Sequence, residues 1–233
     1  MAEVPDEGDG SRRARSLMES VHLGELDRAA DALSAEREAI ALYRRLAAVS
    51  PELYLPELAT CLTSLGVTLS ELDRPGEALN AEQEVVALYR RLAAASPGRY
   101  LADLADALIN LGTTLAELDR PAEALSAEQE AVAVYRGLAA ASPGRYLADL
   151  AEVLADLGVT LTERGLPAEA LPLAEEAVTI RRELAAASPE RHRAGLAHSL
   201  AGLGVVLSAL GRDEEARRSR PATGGVDSSP PQR

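Results

Sequence analysis

The tetrapeptide Glu-Leu-Asp-Arg stands at Glu25–Arg28, returns at Glu71–Arg74 and returns again at Glu117–Arg120, a period of 46 residues. Two more steps of that length reach Glu163-Arg164-Gly165-Leu166 and Ala209-Leu210-Gly211-Arg212, the same place with drifted letters. Longer stretches recur as well: Leu92–Ala105 reappears verbatim as Leu138–Ala151, and Ala41–Ala48 as Ala87–Ala94. A chain copied in this way buries the apolar face of each unit against its neighbours in the series, and so specifies a repeat architecture.

Composition decides what the unit is made of. The chain is 47% hydrophobic but only 3% aromatic, without Trp or Phe, so its apolar mass is Leu, Ala and Val. Ala and Leu favour helix, and Pro and Gly cluster at the repeat joints. The expected class is all-α. Every one of the 24 basic residues is Arg, and the formal net charge is −13. So acidic a chain repels nucleic acid and anionic membrane surfaces. Without Lys it has no P-loop lysine, Schiff-base lysine or kinase strand lysine. Cys61 is the single cysteine, which rules out an internal disulfide. Its periodic equivalents, Ala107, Val153 and Ser199, mark a small packing position rather than a reactive thiol. Met1–Arg15 lacks the apolar run of a signal peptide, and no stretch of the chain has the length of a membrane span, so a cytoplasmic location is expected.

Within one period the pattern resolves into two helices. In the third copy, Ser96-Pro97 reads as a cap followed by a proline start, and Leu101, Leu104, Leu108, Leu111 and Leu115 follow at helical spacing. This helix, A, is predicted over about 97 to 117. Asp119-Arg120-Pro121 breaks it, and Ala124, Leu125, Ala131, Val132, Tyr135 and Leu138 mark a second helix, B, which runs to Ser142-Pro143. The pair is an αα-hairpin.

Leu108, Leu111, Gly112, Leu115, Ala124 and Ala131 fall at the fourth, seventh, eighth, eleventh, twentieth and twenty-seventh positions of a tetratricopeptide repeat, and the match recurs in other copies. The small eighth residue is Gly66, Gly112, Gly158 and Gly204, and the small twentieth is Ala32, Ala78, Ala124, Ala170 and Ala216. The chain resembles the long tetratricopeptide variety of kinesin-light-chain-like and bacterial signalling arrays. That resemblance implies a right-handed superhelical solenoid of antiparallel helix pairs, over residues 16–219, with disordered tails at 1–15 and 220–233.

Two departures from the family pattern stand out. The aromatic expected at the twenty-fourth position is Glu36, Glu82 and Glu128, then Ala174. The six Tyr form two other ladders, Tyr43, Tyr89 and Tyr135 late in helix B and Tyr54, Tyr100 and Tyr146 early in helix A, which end at Arg181 and His192 and so read as a solvated end. The turn between helices is Asp27, Asp73 and Asp119, then Gly165 and Gly211, types that accept a left-handed conformation. The first copy, with Glu19 and Ser20 in place of Leu and Gly, is expected to pack poorly, and the last helix B to stop after Ala216.

The family places its binding surface on the concave face lined by helix A. Carried over by position, that face is Thr60, Thr63, Ser64 and Val67, then Asp106, Ile109, Asn110 and Thr113, then Glu152, Ala155, Asp156 and Val159, then His198, Ala201 and Val205. Its polar to acidic character implies a neutral to basic peptide or protein partner. It lacks the Lys, Arg and Asn clamp that holds a C-terminal carboxylate. The Glu36, Glu82, Glu128 ladder reads either as an acidic track for a basic segment or as carboxylates paired with neighbouring Arg or leaning into solvent. His22, His192 and His198 lie in degenerate or terminal copies and form no ligand pair. No catalytic constellation, metal site or cofactor is expected. The reading is a non-catalytic interaction scaffold. The alternatives are a regulatory arm of a larger signalling ATPase-type protein and a structural protein that forms homo-oligomers through its repeat edges.

Overall fold

The computed structural model describes residues 10–13, 15–16 and 29–219. From Ala29 onward the elements are α1 (Ala29–Val49), α2 (Pro51–Glu71), α3 (Pro75–Ala95), α4 (Pro97–Glu117), α5 (Pro121–Ala141), α6 (Pro143–Glu163), α7 (Pro167–Ala187), α8 (Pro189–Ala209) and α9 (Asp213–Ser219). Helices α1 to α8 are each 21 residues long. No strand occurs among the described residues. The A helices are α2, α4, α6 and α8, and the B helices are α1, α3, α5, α7 and the short α9.

Punctuation chemistry sets these lengths. Each helix from α2 to α8 starts on a proline, whose fixed φ suits the first helical position and whose missing N–H would have been unpaired there anyway. The turn from A to B passes through a left-handed residue: Asp73 (φ 56°), Asp119 (φ 55°), Gly165 (φ 77°) and Gly211 (φ 73°). The next N–H then reaches back to the carbonyl five residues earlier, Arg74 to Leu69, Arg120 to Leu115, Leu166 to Leu161 and Arg212 to Leu207, each at 2.9 Å, in the Schellman pattern. The Arg of the Glu-Leu-Asp-Arg motif then clamps the first turn of helix B: Arg74 Nε donates to Glu77 Oε1 at 2.7 Å, and Arg120 Nε to Glu123 Oε1 at 2.7 Å. Asp supplies the turn and Arg supplies the restart.

The joint from B to A differs from the expected serine cap. Ser96 sits at the N-cap of α4 without a side-chain cap bond. Instead its N–H closes the end of α3 on Leu92 O at 2.8 Å, while its carbonyl accepts the N–H groups of Arg99 and Tyr100. A one-residue joint makes the backbone serve both helices, so the hydroxyl is not required.

The chain divides into two compact units, residues 1–134 and 135–233. In the first, α1 packs on α2, α2 on α3 and α3 on α4. The core is continuous through Leu33, Ile40, Leu46, Leu58, Leu62, Val85, Leu104 and Leu108. Tyr43 meets Tyr54 with ring centroids 6.4 Å apart, and Tyr89 meets Tyr100 at 6.5 Å, so the two tyrosine ladders converge at the joints and supply bulk there. Along the outer side, Arg44 pairs with Glu84 and Arg90 with Glu130, tying consecutive B helices. Such exposed pairs contribute about 0.2–1 kcal/mol each. In the second unit α6 packs on α7 and α8, α7 on α8, and α8 on α9 around Leu150, Leu154, Leu161, Ala170, Val178 and Val206. Arg136 and Glu176 repeat the outer pair. The last helix B continues to Ser219, one turn past Ala216.

Part of the segment read as an N-terminal tail carries structure: residues 10–13 are helical, Gly10 is buried beside Leu46, and Arg13 pairs with Glu38. The first copy's own helix A, with Glu19, Ser20 and His22, and the turn at Asp27 lie outside the described residues, as do residues 220–233.

Helix A and helix B come into close contact at the small eighth position. A Cβ built on Gly112 would lie 3.2 Å from Glu128 Cγ and 3.5 Å from the Ala124 carbonyl of α5. Gly112→Val is therefore expected to cost about 1–3 kcal/mol by overpacking, read as a lowered denaturation midpoint with helical content retained. An unchanged midpoint would mean that the hairpin does not depend on this contact.

Candidate partner-binding surface

In the first unit the A helices expose Thr60, Val67, Asp106, Asn110 and Thr113, with Thr63 and Ile109 half-buried. The threonine protons are already committed within the helices. Thr60 Oγ1 donates to Pro56 O at 3.0 Å, Thr63 to Ala59 O at 3.0 Å and Thr113 to Ile109 O at 3.2 Å. What these hydroxyls still offer a partner is acceptor capacity. Together with Asp106 they make a face suited to donors. Ser64 does not belong to it: half-buried, it turns inward and donates to Glu36 Oε1 at 2.8 Å. In the second unit Glu152, Asp156, His198, Ala201 and Val205 are exposed and Val159 is half-buried, whereas Ala155 is only 2% exposed and is part of the core. His198 Nε2 lies 3.1 Å from Asp156 Oδ1. Asp103, which the positional transfer passed over, also borders the face, and burial, reinforced by the charge of Asp106, holds its carboxyl above the ordinary range.

The glutamate ladder lies elsewhere. Glu36 is 0% and Glu82 7% exposed, and Glu128 is half-buried. Neither arginine pairing nor exposure describes Glu36 and Glu82. The stem of Glu82 packs under α2 at Gly66, where a Cβ would lie 3.3 Å from Glu82 Cγ, and the carboxyls of both meet hydroxyls of the next A helix. Glu36 Oε1 accepts from Ser64 and, at 3.2 Å, from Thr68; Glu82 Oε1 accepts from Thr114 at 2.9 Å. The acidic-track reading therefore needs correction for these two, whose carboxyls are structural connections between copies. A sequence signal existed: the partner position reads Thr68, Thr114, Thr160 and then Val206, and it becomes apolar in the copy whose glutamate has become Ala174.

Comparison with known proteins bears directly on this arrangement. The tetratricopeptide repeat family matches residues 58–95, 104–139 and 150–190, and each matched segment spans one A–B junction of the helices described above. The chain belongs to the tetratricopeptide repeat family. Among solved structures, BtubC (BKLC) from P. vanneervenii aligns with TM-score 0.61 at 19% identity, covering 100% of this chain and 96% of that one. The nearly identical TPR-like repeats named for a kinesin light chain of Podosopora anserina align with TM-score 0.59 at 17% identity, covering 90% and 92%. MamA aligns with TM-score 0.50 at 18% identity, covering 84% and 91%. These likenesses concern the fold. No curated protein matches the sequence.

Tetratricopeptide repeats generally mediate protein–protein interaction. Two side chains in this array show how its interior handles polarity. Cys61 is buried, and burial, with a smaller contribution from Glu36, pushes its thiol up to about 12, which suits the packing role read from its small equivalents. Arg181, which replaces tyrosine in the ladder, is 6% exposed, so the last copy is not solvated there. Its guanidinium reaches Glu152 Oε2 at 3.2 Å, and Gly195 makes the room: a Cβ there would lie 2.6 Å from Arg181 Nη1. The apolar stem of arginine fills the tyrosine slot while its tip meets a carboxylate at the surface.

Glu82 gives a pH-dependent test. Burial raises its carboxyl above the ordinary 4.5, with the Thr114 bond opposing. The folded state thus holds this proton more tightly than the unfolded chain does. Ionisation costs folded stability; the cost is absent below the unfolded value and complete above the folded one. Glu82→Gln should melt at a higher temperature than the parent at pH 7, with the gap closing as pH falls toward 4.5. Thermal melts across that range check it, and a gap independent of pH would refute the linkage.

Proposed function

We propose that this tetratricopeptide array is a scaffold that binds a peptide or protein partner, neutral to basic in charge, on the exposed face of its A helices. The observation that carries the reading is the chemistry of that face. Its threonine protons are spent on their own helices, and the face presents acceptors and carboxylates: Thr60, Thr63, Asp106 and Thr113 in the first unit, and in the second Glu152 and Asp156, which meet Arg181 and His198. A net charge of −13 extends the same preference to long range. A cytoplasmic setting is part of this reading. It is supported by a lone buried Cys61 and by the absence, among the described residues, of a helix long and apolar enough to cross a membrane.

A second reading, self-association through the C-terminal edge, is favoured by a cleft of about 790 Å³ between α8 and α9, lined by Ala201, Gly204, Val205, Ser208 and Ala216. The corresponding residues one copy earlier, Ala155 and Val159, lie under Gly202 of α8, whereas Val205 is 48% exposed. Concentration-dependent sedimentation separates the two readings.

For the A-helix face, substituting Asp106 and Asp156 with Arg should slow association of a basic partner by about threefold to tenfold at low salt and leave helicity intact. The parent's own association rate should fall as salt rises from about 0.05 to 0.5 M. Surface plasmon resonance on a captured partner measures both. Rates insensitive to the substitutions and to salt would remove this face from consideration.

A further inference from the structure

The last copy carries interior chemistry on its outer side. Ala201 and Val205 of α8 repeat Ala155 and Val159 of α6, and those two lie under the next A helix: a Cβ built on Gly202 would stand 3.7 Å from Val159 Cγ2 and 4.0 Å from Ala155 Cβ. Ala201 and Val205 themselves are exposed, Val205 at 48%. A terminal repeat that faces water has a polar outer side. The repeat pattern does not go on to cover them, because in the sequence Pro221, Gly224, Gly225 and Pro230 break the helix B pattern after α9. Charge marks the same place. Asp213 and Arg217, one turn apart on α9, are exposed and line the cleft together with Ala201, Gly204 and Val205. Around α9 the ion pairs join Arg212 to Glu215 and Arg218 to Glu214; neither the Asp213 carboxylate nor the terminal nitrogens of Arg217 enter one among the described residues.

We propose that a second copy of this chain covers the cleft across a two-fold axis, with Val205 of each copy against Ala201 and Gly204 of the other, and Asp213 of each facing Arg217 of the other. The inference rests on the reading of the C-terminal edge as a self-association surface, and it specifies a closed pair. A two-fold contact needs a surface that complements itself. This one does so in shape, because a single face of α8 carries both a projecting valine and the small residues that accept one. It does so in charge as well: α9 has its acids, Asp213, Glu214 and Glu215, in the first turn and its bases, Arg217 and Arg218, in the last. A second α9 running antiparallel sets acid against base at both ends. Other occupants match less of this. A purely acidic or purely basic peptide answers one of the two charges and opposes the other. Residues 220–233 offer Val226 as their one branched aliphatic side chain.

The test follows the full chain by sedimentation velocity over about a hundredfold range of concentration at low salt. The expected result is a monomer that converts to a dimer and goes no further. Val205→Glu, at an exposed position whose change does not threaten folding, should raise the dissociation constant about tenfold or more, since the dimer would bury an unpaired charge. Asp213→Arg and Arg217→Asp should each weaken the dimer about tenfold, because like charges then face each other across the axis. An equimolar mixture of these two variants should recover a heterodimer close to the parent in affinity, each supplying the charge that the other lacks. Thermal melts confirm that the variants are folded. A chain that stays monomeric throughout overturns both the pair and the self-association reading, and leaves the A-helix face untouched. Species that keep growing beyond the dimer indicate head-to-tail contacts and overturn the two-fold arrangement. A dimer that survives Val205→Glu lies elsewhere on the molecule and overturns the proposal. Weakening in the single charge variants without recovery on mixing overturns the two-fold pairing, while the edge stands as a self-association surface.

Discussion

The contact between the two helices of a hairpin at Gly66, Gly112 and Gly158 sets how deep the facing side chains of helix B sit. With no Cβ on helix A at these heights, helix B comes close enough for the stem of Glu82 or Glu128, or the methyl of Ala174, to lie directly against the backbone. Glu82, held that deep, is only 7% exposed. Its polar end must find a partner inside, and the nearest available element is the next A helix. The Thr114 hydroxyl that meets Glu82 is therefore a consequence of the glycine at position 66.

This arrangement joins copies by polar contacts where the family's pattern would use an aromatic ring. A ring at the twenty-fourth position gains from burial without regard to direction. A carboxyl gains only when a hydroxyl stands at the correct height on the neighbouring helix, so it fixes register as well as proximity. Where the carboxyl is gone, at Ala174, the partner position is Val206, itself fully buried, and the joint reverts to apolar packing. Arg181 shows the reverse exchange, a charged side chain in an aromatic slot, made feasible by Gly195.

Backbone punctuation was the part of the fold legible in the sequence, because proline and left-handed turn residues act through local sterics that need no knowledge of neighbours. The prediction of helix A over about 97 to 117 coincides with α4, and Asp119 and Gly165 sit at the turns. The family's positional code likewise placed Asp106, Asn110 and Asp156 on an exposed face. It failed where a position's fate depends on a residue in another copy: Ser64 turned in toward Glu36, Ala155 was buried, and Glu36 and Glu82 were buried against expectation. The outcomes at Ser64, Glu36 and Glu82 are set by pairings 28 to 32 residues apart, and Ala155 lies under Gly202 of the next copy. They could be read only by comparing how two repeat positions change together, as Glu and Thr do when they become Ala174 and Val206.

The uniform 21-residue helices have a consequence for how such a chain can change in length. Since Leu92–Ala105 and Leu138–Ala151 are identical, an exchange between them removes or adds one whole hairpin and leaves each proline start, left-handed turn and arginine clamp in phase. A single inserted residue inside a helix instead rotates everything after it by about 100°, turning glycines away from the stems they accommodate. The genetic unit of tolerated length variation is thus the hairpin, and an array of this kind can be lengthened or shortened in whole steps while its interior chemistry remains unaltered.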